Sequence, residues 1–279
     1  VRRLVAPNPG PFTFTGTCTY LVGDRNIAII DPGPDDAVHL DHILQATGSA
    51  RIAALLVTHT HRDHSPIARR LKELTGAPIM GCGPHRTARP MKEGEINPLD
   101  ASSDHDHQPD QTMTHGEHFS VGALDFEVVA TPGHTINHLS FALSEEQALF
   151  SGDHVMGWST SIVAPPDGAM QPYMASLETL IARDDRIYYP GHGAAITEPK
   201  RFVPQLLAHR RMREKTIFEA VREGIETIPN LVSKLYRGLN PRLQGAAALS
   251  VFAHLEDLEA RGLVRAEPSL TLDAHFHPR

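Results

Sequence analysis

Residues 57–71 read VTHTHRDHSPIARRL, and they place His59, His61, Asp63 and His64 within six positions. The stretch follows the apolar run RIAALLV (51–57) and leads into SPIARRLKELTG (65–76). A continuous aliphatic run of that length reads as a strand buried on both faces. In the segment after it, Ser65 is placed to cap a helix, Pro66 suits the first turn and Gly76 the end. A strand that ends in three imidazoles and a carboxylate and then turns into a helix predicts a layered α/β fold. Its chemistry would sit at the carboxyl edge of a sheet.

The neighbouring segments agree. TYLVGDRNIAIIDP (19–32) reads as two short strands about a turn at Gly23–Asp24, and PDDAVHLDHILQATG (34–48) as an amphipathic helix closed by Gly48. APIMGCG (77–83) is a further short strand. HFSVGALDFEVVATPG (118–133) and HLSFALSEEQALFSGD (138–153) read as hairpins, followed by a helix over 171–184 and a strand in RIYYPGHG (186–193). Residues 84–117, rich in Pro, Gly, His and Asp, predict a long surface loop, a feature that in a compact domain is often functional. Within it, SSDHDHQPD (102–110) is expected to be a solvated acidic loop, with a third metal site as the lesser reading.

Composition limits the function classes. The chain has 279 residues, 41% of them hydrophobic, and a net charge of −7, which predicts a folded globular protein. No apolar run approaches the roughly 20 residues of a membrane span, and VRRLVAPNPGPF at the start lacks a signal core. Two cysteines, Cys18 and Cys82, make no disulfide framework and are expected to be buried. A reducing cytoplasm is therefore the expected location. Charge divides the chain: residues 1–198 hold 13 Lys/Arg against 24 Asp/Glu, whereas 199–265 hold 12 against 7. A long basic helix over about 201–226 leads into PNLVSKLYRGL (229–239), GAAALSVFAHLEDLEARGLV (245–264) and two hairpin-like tips, an order that suggests a winged helix. The expected division is a catalytic domain over 1–199 and a winged-helix-like domain over 200–279.

Histidine is abundant, at 18 residues, and three more punctuated sites complete the opening cluster. TPGHT (131–135) holds His134, SGDH (151–154) holds Asp153 and YPGHG (189–193) holds His192, each directly after a strand-like run. Strand ends on one sheet edge converge, so these distant positions can meet. Imidazole and carboxylate are the donors that hold zinc, and seven are too many for one tetrahedral ion. They suit two ions about 3.5–4 Å apart, which would acidify a water and present a bridging hydroxide to an ester-type substrate. No serine or cysteine has a plausible base beside it.

The pattern H-x-H-x-D-H (59–64), followed by His134, Asp153 and His192, resembles the metallo-β-lactamase superfamily over residues 16–199. The resemblance implies an αββα sandwich. It also implies that His59, His61 and His134 hold one zinc, that Asp63, His64 and His192 hold the other, and that Asp153 bridges them. Iron or manganese would suit the same donors. Asp63 would also orient or deprotonate the attacking water. True zinc β-lactamases generally lack the bridging Asp, which turns the expectation toward hydrolases, thioesterases and nucleases. GTCTYLVG (16–23), PGHTINHL (132–139), YPGHG, LLAHRRMREKTI (206–217) and the winged-helix tail together resemble the β-lactamase-like protein 2 family, whose animal members cleave single-stranded RNA. Residues 93–117 look like an insertion relative to those members.

Around this set, Asp31 in IIDPG orients a ligand histidine, caps a helix or makes a turn with Pro32, and His138 either supports the site or hydrogen-bonds on the next strand. His154 is a further candidate beside Asp153. Arg210, Arg211, Arg213 and Lys215 would follow a phosphate backbone, or belong to a solvated helix face or a salt-bridged seam between domains. The expected substrate is a small or anionic ester. A phosphodiester, single-stranded RNA, is the form of it that the resemblance implies, although the field of the acidic first domain would repel a polyanion. A thioesterase resembling hydroxyacylglutathione hydrolase, a lactonase, and a nucleic-acid-binding protein with a vestigial metal site are the alternatives. A homodimer is left open.

Overall fold

The structure, a computed structural model, describes residues 1–93 and 95–279; Gly94, inside the 84–117 segment, lies outside the described residues. The chain opens with β1 (Arg2–Val5), β2 (Cys18–Val22) and β3 (Asn26–Ile30), followed by α1 (Ala37–Thr47). Asp36 caps α1 by accepting from the His39 amide, and Gly48 closes it. Next come β4 (Arg51–Val57), α2 (Ile67–Thr75), β5 (Ile79–Gly81) and β6 (Gln111–Thr112). These six strands form one mixed sheet in sequence order, antiparallel from β1 to β3 and parallel from β3 to β6.

The second sheet holds β7 (His118–Val121), β8 (Leu124–Ala130), β9 (Leu139–Leu143) and β10 (Ala148–Gly152). After α3 (Met170–Ile181), β11 (Ile187–Pro190) joins it in parallel beside β10, giving the order β11-β10-β9-β8-β7. Successive residues of a strand face opposite ways, and here both faces are buried. Phe126, Val128, Phe141 and Phe150 point into the core between the sheets, and the same buried cluster continues to Leu40 and Ile43 of α1 and Ile67 and Leu71 of α2, which cover the first sheet from outside. Val129, Ala142 and Leu149 point outward and are covered by Tyr173 and Leu177 of α3. The result is an αββα sandwich.

α4 (Pro199–Arg222) continues this outer layer and then leaves it. Its first half packs Val203, Leu206 and Leu207 on the second sheet's cluster. Its second half packs Ile217, Ala220 and Val221 against α5 (Ile228–Leu235), α6 (Gln244–Ala260), β12 (Val264–Glu267) and β13 (His275–Pro278). The helices and the β12–β13 ribbon form a winged helix, with one hairpin where two were expected.

The structure corrects three local expectations. Ser65 does not cap α2: its Oγ donates to Asp104 Oδ2 at 2.6 Å. The 102–110 stretch is not simply a solvated loop. Asp104 is buried and takes Arg69 at 2.8 and 3.0 Å, and His107 is buried against the Cys82 carbonyl. The loop is pinned because its backbone pairs with residues 60–62, through Asp104 N to Thr60 O and Arg62 N to Ser102 O. Finally, the α4 cations are engaged within the protein. Arg211 pairs with Glu178, Lys215 with Glu219, and Arg210 donates to the Ser161 carbonyl. Arg211 and Arg210 thus tie α4 to the sandwich as a seam would, whereas Lys215 and Glu219 pair along a solvated helix face. No helix among the described residues is long and apolar enough to cross a membrane. Cys18 and Cys82 are buried and free, as expected.

Candidate metal centre

Each selected residue lies just past a strand end, and the two sheets bring those ends to one edge. Asp31 follows β3, residues 58–64 follow β4, His134 follows β8, Asp153 follows β10 and His192 follows β11. The turn into His134 depends on Gly133, whose φ is +145°; an added Cβ would lie 2.3 Å from Tyr173 Cα. Only glycine fits there.

Three imidazole nitrogens converge on one point. His59 Nε2 and His134 Nε2 each lie 3.0 Å from His61 Nδ1. The partners of the outer nitrogens fix the tautomers. His134 Nδ1 donates to the Ile162 carbonyl at 2.5 Å, so its Nε2 carries the lone pair. Thr58 Oγ1 donates to Asp31 Oδ2 and therefore accepts from His59 Nδ1 at 3.0 Å, which turns the His59 Nε2 lone pair inward as well. Lone pairs facing one another at this distance are a cation-binding arrangement.

A second group adjoins it. His192 Nε2 lies 3.2 Å from Asp63 Oδ2 and 3.3 Å from Asp153 Oδ2. His64 Nε2 lies 3.3 Å from Asp63 Oδ2 and 3.5 Å from Asp153 Oδ1. Asp153 Oδ2 also reaches within 3.7 Å of His134 Nε2, so this carboxylate faces both groups. The ligating atoms of His59, His61, His134 and Asp153 lie within 4.8 Å of one another, as do those of Asp63, His64 and His192. His64 Nε2 and Asp153 Oδ1 are buried without a hydrogen-bond partner. Buried polar atoms are rarely left so. The donor set and its unsatisfied atoms fit divalent cations.

A further layer holds these groups. Asp31 accepts His64 Nδ1 at 3.0 Å, the Thr58 amide at 2.8 Å and the Thr58 hydroxyl at 2.8 Å. His138 donates nothing to the centre: its Nε2 accepts the Asp153 amide at 3.1 Å, and its Nδ1 meets Thr131 Oγ1 at 2.8 Å. Thr17, which sequence reasoning did not single out, donates its hydroxyl to Asp63 Oδ2 at 2.9 Å and bridges to His192 through its backbone. A threonine has no distinguishing signature, and only its place in GTCTYLVG hinted at the site. His154 points away and packs its ring on Tyr173, 4.6 Å between centroids.

Electrostatics separates the two groups. Burial, reinforced by the neighbouring His134, pushes His61 down to about 3. Burial and the His64 charge hold His59 well below its ordinary value, and burial also lowers His134. Burial opposes charge on His192, but Asp153 and Asp63 outweigh it and raise this imidazole to about 10. Against the same burial, Asp63, Asp153 and Asp31 hold His64 well above the usual range. Burial would raise Asp63 and Asp153; His64 and His192 keep both well below the usual carboxylate range instead.

The centre forms the floor of a cavity of about 410 Å³. His61, Asp63, His134, Asp153 and His192 face it. The walls are apolar: Phe12, Leu99, Met156 and Ile162, with Ala246 and Leu249 contributed by α6. Arg62 is the sole Lys or Arg in the lining. The 84–117 segment contributes Leu99, Ala101 and Ser102, so it borders the cavity.

Comparison with known proteins agrees with this architecture. Residues 12–192 match the metallo-beta-lactamase superfamily, and residues 227–271 match the beta-lactamase associated winged helix domain. The beta-lactamase-like protein 2 homolog of Drosophila melanogaster is 31% identical over 96% of this chain and 91% of its own length. An atrochrysone carboxyl ACP thioesterase of Aspergillus chevalieri is 34% identical over 80% of this chain and 66% of its own. A metallo-beta-lactamase family protein from Thermus thermophilus superposes with a TM-score of 0.80 at 21% identity, over 100% of this chain and 98% of that one.

Proposed function

This chain belongs to the metallo-beta-lactamase superfamily of hydrolases, and from that premise we propose that it is a two-metal hydrolase of carboxylic esters or thioesters with an apolar acyl group. The observation that carries the substrate class is the cavity, which has apolar walls on both sides and one cation in its lining. A polyanion such as RNA needs an open row of Lys and Arg, whereas on α4 Arg211 and Lys215 are paired with acids and Arg210 is buried. The name of the Aspergillus relative, a thioesterase, supports the same class. We place the boundary between the catalytic and winged-helix domains at residues 199 and 200, and the winged helix serves here as a cavity wall through Ala246 and Leu249.

His59, His61 and His134 would hold one ion, Asp63, His64 and His192 the other, with Asp153 between them; zinc suits these donors best, and iron or manganese also fit. Bound there, the ions would supply Lewis acidity and a water acidified to near pH 7. Asp63 would take the proton of the attacking water, because its carboxylate faces the cavity and Thr17 holds it in place. Leu99, Met156, Ile162 and Leu249 would bind the acyl chain and exclude bulk water. Asp31 and His138 would position His64 and Asp153.

A panel of acyl thioesters of increasing chain length tests this reading, alongside S-lactoylglutathione, a lactone, bis-p-nitrophenyl phosphate and single-stranded RNA. Each buried methylene is worth about 0.8 kcal/mol, so kcat/KM is expected to rise roughly fourfold per methylene until the cavity fills. Turnover of RNA with none of the acyl substrates would overturn the assignment.

Two further results are expected. Asp31→Asn removes a carboxylate that accepts three hydrogen bonds, including the one orienting His64. Loss of such an outer partner typically costs 10–100-fold in metal affinity, measured by competition with a chromogenic chelator; unchanged affinity would remove Asp31 from the site. The second concerns protons. His59, His61 and His134 are neutral at pH 7, so their position is expected to fill without releasing protons. His64 and His192, held protonated by the carboxylates, must each lose one. Affinity for the second ion is therefore expected to rise with pH up to about 10, the His192 value. Calorimetry in buffers of different ionisation enthalpy reads the proton count; equal release at both positions would contradict the assignment.

A further inference from the structure

A second chamber of about 320 Å³ opens beside the metal cavity, and Phe12, Met156, Ile162 and Ala246 stand in the walls of both. Its chemistry differs from the first. His209, Arg210 and Arg213 line it together with Ser159, Thr160, Ser161 and Ser250, and no carboxylate does. In a chain of net charge −7, a cavity lined by two guanidiniums and no acid is a local reversal of sign.

The polar groups here are incompletely used. Arg210 is 3% exposed and Ser161 is 2% exposed, yet Arg210 Nε and Ser161 Oγ are buried with no hydrogen-bond partner. Arg210 otherwise donates to the Ser161 carbonyl and lies over the Tyr173 ring at 5.0 Å. Arg213 lies over Tyr236 at 4.2 Å and donates to the Leu235 carbonyl at 3.3 Å. Both cations are thus held in place by rings and carbonyls. Among the described residues neither meets a carboxylate within salt-bridge distance, whereas Arg211 and Arg261 on nearby surface do. Burial and then the two arginines hold His209 below its ordinary value.

We propose that this chamber binds a phosphate group carried by the substrate, at the end remote from the bond that is cleaved. The proposal rests on the reading of the first cavity as the hydrolytic one. A phosphate offers several oxygens to separate donors, which matches two guanidiniums among hydroxyl-bearing residues better than a carboxylate would. The shared wall of Phe12, Met156, Ile162 and Ala246 lets one molecule span both chambers. The substrate class narrows to a phosphorylated small-molecule ester or thioester.

Trp158 lines the chamber and is the only tryptophan of the chain, so its emission reads the site directly. The metal-loaded protein is titrated with inorganic phosphate, coenzyme A, acetate and a short single-stranded RNA at constant ionic strength. A saturable change is expected with phosphate, at least tenfold tighter with coenzyme A, and none with acetate. Arg213→Gln is expected to weaken phosphate binding at least tenfold and Arg213→Lys to restore part of it. Ser159→Asp, at an exposed position on the rim, should weaken it at least fivefold and decides the matter if the Arg213 variants fail to fold. Asp153→Ala should leave it in place. Flat emission, a response unchanged by Ser159→Asp and Arg213→Gln, or one lost in Asp153→Ala would overturn the proposal. Tighter binding of RNA than of coenzyme A would overturn it too. A protein that binds phosphate here but cleaves no ester keeps the chamber and loses the reaction; one that cleaves esters with flat emission does the reverse.

Discussion

Asp153→Ala is expected to lower kcat/KM by about a thousandfold or more and to leave no more than one tightly held metal ion per chain. The reason is its position. Asp153 Oδ2 lies 3.3 Å from His192 Nε2 and 3.7 Å from His134 Nε2, while Oδ1 lies 3.5 Å from His64 Nε2. It is the carboxylate that faces both groups of donors. Two-metal stabilisation of a developing oxyanion is worth several kcal/mol, and each 1.36 kcal/mol is a factor of ten in rate. Asp153→Asn keeps the shape and removes the charge, so the same loss is expected from it. In both variants the metal-free protein also loses one of the two carboxylates that raise His192 to about 10, and this imidazole should titrate lower by NMR. Metal emission and steady-state turnover on the best acyl substrate check the main claim. Two ions per chain with turnover within tenfold of the parent would remove Asp153 from the centre.

Much of this site is legible in the sequence because its members are tied to strand ends. An apolar run followed by Gly, His or Asp marks where a strand stops, and sheet topology brings such stops to one edge. His59, His61, Asp63, His64, His134, Asp153 and His192 all carry that mark, and so does Asp31. What holds them does not. Thr17, Thr58 and the Ile162 carbonyl are generic groups, and their roles follow only from tertiary placement. The same limit explains α6. Ala246 and Leu249 read as ordinary core positions of a helix, yet they face the cavity because the winged helix is docked against the sandwich. The basic helix misleads in the opposite direction. Its charges suggest an exposed anion-binding face, but Arg210 is buried and Arg211 and Lys215 are paired with acids. The docked α6 and the 84–117 segment are joined by Arg89, which reaches Glu256 at 2.6 Å, a contact between positions 167 apart that no local pattern announces.

Gly191→Ala is expected to weaken metal binding at least a hundredfold while leaving the fold intact, and Gly133→Ala is expected to do damage of the other kind. At Gly191 an added Cβ would stand 2.4 Å from Asp153 Oδ1 and 2.7 Å from His64 Cε1, whereas the Gly152 carbonyl carbon is 3.3 Å away. The methyl group therefore collides with two donor side chains rather than with the chain path. The carboxylate and the imidazole can rotate away, but the position they then take is no longer the one that closes the second group. Donor geometry must hold to within about 0.5 Å for such a centre, so a loss of at least a hundredfold in metal affinity is expected. At Gly133 the φ of +145° is one that side chains rarely adopt, and the added Cβ would meet Tyr173 Cα at 2.3 Å. There the backbone itself must move, along with the packing of α3, and strain of this sort costs of order 1–3 kcal/mol before the clash is counted. Gly133→Ala should therefore lower the thermal midpoint even with metal removed. Gly191→Ala should melt like the parent when both are metal-free, and differ from it only when metal is added. Circular dichroism melts with and without chelator separate the two effects, and a Gly191→Ala protein that still gains stability on metal addition would show that the space beside Asp153 and His64 is not needed for the ions.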